Sequence, residues 1–178
     1  TGRLKTTADH NLASLRTQGG QFSYGGSVAT IMAEAHVAAG YLTANGNVEL
    51  VALGRLQNVS GVPDTLTIET GFGGVARVTH SVPINDGGTN NRPFEYRARV
   101  ANFNTVAQQW VQSTLIIGNA VDTERIARPM SITHIGALLA TTTNTNNASR
   151  HISMSVRWAT GGASRSFELE YYYARIVR

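Results

Sequence analysis

Through most of this chain hydrophobic and polar residues alternate with a period of two, the period of strands that bury one face. The pattern is plainest near the C-terminal end. Ile152, Met154, Val156 and Trp158 alternate with His151, Ser153, Ser155 and Arg157. After a turn at Gly161-Gly162, Phe167, Leu169, Tyr171 and Tyr173 alternate with Glu168, Glu170 and Tyr172. On this parity Tyr172 shares a polar face with two glutamates, while Trp158 and Tyr171 fall towards the core. Phe94–Phe103 repeats the pattern, with Phe94, Tyr96, Ala98 and Val100 opposite Glu95, Arg97 and Arg99. Strands are also predicted over Thr65–Thr70, Val75–Val82, Thr105–Gly118 and Met130–Thr141, with Pro- and Gly-rich punctuation and the polar loops Asn85–Asn91 and Asn119–Pro129 among them.

One stretch is ambiguous. Val28, Ile31, Met32, Ala35 and Ala39 have helical spacing, with Ser27 as a candidate N-cap. Against this, Asn45-Gly46 lies between apolar runs, a strong hairpin signal. The hairpin predicts Ala33–Thr43 and Asn47–Leu56 as paired strands. Two segments are apolar on both faces: Val48, Leu50 and Leu56 stand opposite Val51 and Leu53, and Ile132 and Leu138 opposite Ile135 and Leu139. One face of each enters a core and the other needs cover, which predicts a homo-oligomer. Many short strands at regular intervals predict an all-β fold, an antiparallel β-sandwich of jelly-roll type. Residues 27–178 read as one sandwich domain, and residues 1–26 as an extended lead-in with a short strand around Gln21–Tyr24.

Composition agrees with the strands. The chain has 178 residues, enough for one core, and only 15% are charged, against about 25% in ordinary soluble domains. Thr, Asn, Ser, Gln and Gly take the place of charge. The net charge of +4 comes from scattered arginines with no basic run, which argues against a nucleic-acid partner. There is no cysteine, which excludes a disulfide framework and thiolate metal sites and favours a bacterial, phage or cytosolic source. No apolar stretch approaches the roughly 18 residues of a spanning helix, so no membrane insertion is expected. From the first residue, Thr1, we expect excision from a longer polypeptide.

No motif for catalysis, metal or cofactor emerges. The five histidines are dispersed without HExxH or His-x-His spacing, and neither a GxSxG elbow nor a phosphate-binding loop is present. Glu168 and Glu170 stand about 7 Å apart on one strand face, within the range of an inverting glycosidase. Arg157 and His151 on the preceding strand are placed to neutralise them as cross-strand pairs. Binding is better supported than catalysis. Thr141–Asn147 and Asn85–Asn91 offer dense neutral donors and acceptors, and an exposed aromatic can stack on a sugar ring. The expected ligand patch is Tyr172, Arg157, Asn144, Asn146, Asn147 and Arg150.

The Gly-, Thr- and Asn-rich strands, the absence of Cys, the non-Met start and the closing strand from Ser166 through Phe-Glu-Leu-Glu-Tyr-Tyr-Tyr-Ala-Arg-Ile-Val to Arg178 together resemble the C-terminal domains of bacteriophage fibre, tailspike and other virion appendage proteins. The resemblance is architectural and covers most of the chain. It implies a virion or extracellular location, a homotrimer, and recognition of a host surface glycan or receptor, with no cofactor. The alternatives it leaves open are a structural trimerisation, capsid-decoration or capsid jelly-roll domain, and a carbohydrate-active enzyme.

Overall fold

Alternation in the sequence becomes alternation in burial: Phe94, Tyr96, Ala98 and Val100 are buried while Arg97 and Arg99 between them are exposed. The computed structural model describes residues 22–40, 42, 44–85, 91–102, 108–118, 129–139 and 150–177. Among these residues the chain forms β1 (Phe22–Tyr24), β2 (Thr30–Val37), β3 (Asn47–Asn58), β4 (Asp64–Phe72), β5 (Val75–Ile84), β6 (Arg92–Asn102), β7 (Gln109–Gly118), β8 (Pro129–Leu139), β9 (Arg150–Trp158) and β10 (Arg165–Val177). No helix is present among them.

The strands make two sheets, six-stranded in the order β1-β10-β3-β6-β7-β8 and four-stranded in the order β2-β9-β4-β5, with every pairing antiparallel. Eight of these strands pair as nested rungs: β1 with β10, β2 with β9, β3 with β6 and β4 with β5. Successive rungs alternate between the sheets, and the pairings β10–β3 and β9–β4 complete each one. This is the jelly-roll form of the antiparallel sandwich. β7 and β8 extend its larger sheet beyond β6.

Two predicted turns connect the sheets instead of forming hairpins. β2 and β3 are strands, but they lie in different sheets and do not pair. The segment after β2 is tied elsewhere: Asn102 N–H donates to the Gly46 carbonyl (2.9 Å) and Asn102 Nδ2 to the Leu42 carbonyl (3.3 Å), with Leu42 fully buried. Tertiary anchoring on β6 overrides the local preference of Asn-Gly. Gly161-Gly162 likewise carries the chain from β9 to β10, in opposite sheets, with φ of 69° and 125°. The helical spacing over 27–39 has a different cause. A register shift between Ile31 and Ala33 places Met32 and Ala33 consecutively in the core, which breaks the period of two.

The core between the sheets holds Trp158, Tyr96, Phe72, Phe94 and Phe167, with the Phe94 and Phe167 rings stacked at 4.3 Å. Two polar ties cross it. The Thr70 and Tyr96 hydroxyls share a hydrogen bond, and His80 Nε2 meets Ser113 Oγ at 2.7 Å. Burial pushes the Tyr96 phenol upward, against hydrogen bonds from Thr70 and Ser113. On the outer face of β3, Val51 is only 3% exposed. It is flanked in register by Tyr173 and Arg97, so the chain's own long side chains supply cover that the sequence assigned to a second copy. Leu53 is flanked in the same way by Tyr171 and Glu95. The second doubly apolar segment, 130–141, lies outside the described side chains.

The predicted lead-in contributes to the sheet. Phe22–Tyr24 pairs with Phe167–Leu169, and Tyr24 packs against the core. Gly26 accepts from Trp158 N–H (3.0 Å) and Gly25 from Gly162 N–H (2.7 Å). A Cβ on Gly25 would stand 2.1 Å from the Arg165 carbonyl oxygen, so only glycine permits this approach.

Candidate functional site

Small residues on the outer face of the four-stranded sheet leave a groove. Where β2, β9 and β4 run side by side, the outward positions are Glu34, Ser153 and Gly71 in one cross-strand row and Ile31, Ser155 and Glu69 in the next. Gly71 gives the floor no side chain, and a Cβ there would lie 2.3 Å from Ser153 Oγ. The β4–β5 turn forms one wall. Gly73 and Gly74 have φ of 66° and 82°, the positive pair of a two-residue type I′ hairpin. Gly73 N–H donates to the His151 carbonyl at 3.1 Å, which seats this turn beside the start of β9. The groove encloses about 460 Å³ and is lined by Ile31, Glu34, Glu69, Val75, Arg150 and His151 besides the floor residues.

Its outward polar groups are arranged in pairs. Glu34 Oε1 meets His151 Nδ1 at 2.7 Å, and the His151 ring packs edge-on to His36 at 5.0 Å. Glu69 faces Arg157 Nη2 at 3.6 Å and accepts from Ser155 Oγ at 3.4 Å. Arg150, the first residue of β9, lines one end of the groove but pairs with Val37 on the inward parity of Ile152 and Met154, and its Nε is buried. Carboxylates held this way keep lone pairs for hydroxyl donors, and the serine hydroxyls both donate and accept. The groove therefore offers hydrogen-bond donors and acceptors along its floor and walls. Among the described residues, no cluster of three or more His, Asp or Glu is placed to hold a metal ion.

The structure separates the patch expected from sequence. Arg150 and Arg157 share β9, the first lining the groove and the second at its edge through Glu69. Asn144, Asn146 and Asn147 lie outside the described residues. Tyr172 sits in the other sheet and packs against the core, which corrects its assignment to the polar face. The cause is a register shift between Leu169 and Tyr171, a β-bulge at Glu170 that reverses the parity of the strand. Phe167 and Leu169 point inward before it, Ala174 and Ile176 after it, and Tyr171 becomes 45% exposed.

Glu168 and Glu170 also read differently. They converge on a single Arg55 Nε, at 2.8 and 3.0 Å, on the larger sheet. Arg157 and His151 belong to the smaller sheet and cannot be their cross-strand partners. Trp110, on the larger sheet, is 40% exposed, with Nε1 donating to Gln112 Oε1 at 3.3 Å. Glu34, Glu69 and Gly71 were not singled out by sequence reasoning. The available signal was the run of small outward residues Ser153, Ser155 and Gly71, which leaves a trough once β4 and β9 are known to pair.

No protein-family model and no curated protein matches the chain. Among solved structures, the alginate lyase from Klebsiella pneumoniae is similar at 8% sequence identity and a TM-score of 0.27. The alignment spans 75% of this chain and 58% of the lyase.

Proposed function

We propose that this domain is a receptor-recognition module of a virion appendage, which holds a host-surface saccharide in the groove of the four-stranded sheet and is presented as a homotrimer. The observation that carries the reading is the groove, with Ser153 and Ser155 flanking a glycine floor and Glu34 and Glu69 flanking them in turn. Ligand clefts of this size join apolar surface to a few placed polar groups, and Ile31 and Val75 supply apolar surface here. A single site of this kind binds sugars weakly, and repetition on several subunits raises avidity. The appendage context comes from the sequence resemblance.

Structural self-association is the second reading. It is favoured by Tyr171 and Trp110, both exposed on the outer face of the six-stranded sheet. Glycan-array binding of the wild type, Ser153→Trp and Tyr171→Ala tests the two readings, with light scattering on each protein. Saccharide binding by a trimer, weakened at least about tenfold by Ser153→Trp and unchanged by Tyr171→Ala, is the expected result. A trimer that binds no glycan and dissociates on Tyr171→Ala would establish the structural role instead. Release of reducing ends, lost in Glu69→Gln, would make the groove a catalytic one.

A further inference from the structure

We infer that His80 is an acid-sensitive latch: protonation of its buried imidazole loosens β5 from the larger sheet under mildly acidic conditions. The imidazole is fully buried, Nδ1 included, and its Nε2 meets Ser113 Oγ at 2.7 Å. That contact joins β5 of the four-stranded sheet to β7 of the six-stranded one. The ring also stands edge-on to Tyr96, with 6.2 Å between centroids. The Tyr96 hydroxyl in turn bonds to Ser113 and Thr70. Four strands, β4 to β7, thus meet in one buried chain of hydroxyls and a single imidazole.

Among the described residues, no anion is placed to balance a charge on that ring. Tyr96 cannot supply one, because burial pushes its phenol upward. β5 and β7 contain no Asp or Glu, and neither does the sequence of β8, which packs against β5. On β4, Ile68 pairs with His80, while Glu69 faces outward to Arg157 and Asp64, opposite Ile84, holds Arg165. Glu95 of β6 lies on an outer face beside Arg97. Arg77 on β5, whose Nε donates to the Phe72 carbonyl, and Arg92 at the start of β6 are cations and give an imidazolium no relief. A buried cation without a counter-ion is costly. The unfolded chain binds a proton at this ring below about pH 6.5 that the folded chain excludes, so stability falls as pH drops below that value. β5 is the strand that yields, because it lies at a sheet edge and pairs with β4 alone. Its hold on the larger sheet rests on packing and on this tie.

The test compares the intact protein with His80→Gln, whose amide nitrogen can take the Nε2 position but does not titrate. Urea titrations at about pH 7.5 and about pH 5.5, either side of the imidazole range, give the unfolding equilibrium constants. One proton excluded by the fold raises the wild-type constant about tenfold over that interval, and His80→Gln should lack this rise. His36 and His151 are present in both proteins, so the difference isolates His80. Hydrogen exchange, corrected for the intrinsic rate at each pH, should quicken in β5 before β3 and β10, and only in the wild type. A wild-type NMR titration needs no variant and serves if His80→Gln does not fold. The imidazole with a cross-peak to the Tyr96 ring should keep its neutral chemical shifts throughout the interval. The same pH dependence in both proteins overturns the inference, as does an imidazole beside Tyr96 that takes up a proton near pH 6.5 with the fold intact. Exchange that quickens uniformly in both sheets would show general unfolding and remove the latch.

Discussion

Asp64 and Arg165 are the charged pair on which the crossover between sheets depends. Asp64 Oδ1 accepts from Thr65 N–H at 2.8 Å and Thr160 N–H at 3.3 Å, its Oδ2 meets Arg165 Nε, and Arg165 Nη1 donates to the Gly161 carbonyl at 2.8 Å. Burial pushes the Asp64 carboxyl upward, but the Thr65 and Thr160 hydrogen bonds and the Arg165 charge outweigh it and leave it below its ordinary value. A lowered carboxyl contributes stability that is fully present above its unfolded value, near pH 4, and lost as pH falls through the folded one. Thermal midpoints of the wild type should therefore decline below about pH 4, and Asp64→Asn should lack that part of the decline. Arg165→Met leaves a buried carboxylate without its cation, and we expect about 3–5 kcal/mol of destabilisation at neutral pH in urea titrations. An Asp64→Asn protein that matched the wild type at neutral pH would contradict this. Sequence alone could not pair these residues, because they belong to opposite sheets and meet only once the chain is rolled. The same applies to Tyr172. Its inward turn depends on one extra residue in β10, and alternation carried through the bulge assigns every later side chain to the wrong face.

At the scale of elements, the strands were legible and their partners were not. Burial follows the written alternation in β6 and β9, and Gly73-Gly74 turns β4 into β5 as a hairpin. Pairing fails to follow from pattern wherever two strands face the same core from opposite sheets, as β2 and β3 do, since a hairpin and an arch demand the same apolar faces. Glycines distinguish two kinds of constraint. Gly74 has φ of 82° and open space around its missing Cβ. Gly74→Ala should cost only the left-handed conformation, about 1–2 kcal/mol. Gly54 pairs with Leu169 next to the bulge, and a Cβ there would lie 2.0 Å from the Glu168 carbonyl oxygen and 2.8 Å from the Phe94 ring. Backbone cannot move aside as a side-chain tip can, so Gly54→Ala forces β3 and β10 apart. Its expected cost is about 3 kcal/mol, at the upper end for overpacking, and chemical denaturation should rank it above Gly74→Ala. The reverse order would mean that the bulge yields easily.

Across the whole molecule, nested pairing brings the first and last strands of the described chain together, with Phe22 beside Leu169. Contacts this distant in sequence leave no local signature, and for that reason residues 1–26 read as a connector although their last part belongs to the sheet. β1 covers one edge of β10, and the residues after it hold the β9–β10 crossover through Trp158 N–H and Gly162 N–H. Two proteins isolate its contribution, one starting at residue 22 and one at residue 27. The shorter loses the packing of Tyr24, worth about 1.5 kcal/mol for a half-buried ring, and several backbone hydrogen bonds at roughly 0.5–1.5 kcal/mol each. We expect it to be less stable by about 3 kcal/mol on these terms. Loss of β1 also frees the outer N–H and C=O groups of β10, an unprotected edge that invites strand addition from another copy. Light scattering should then show concentration-dependent association in the protein starting at 27 beyond that of the one starting at 22, and urea midpoints should separate them. Equal midpoints and equal masses would show that the sandwich is complete without β1.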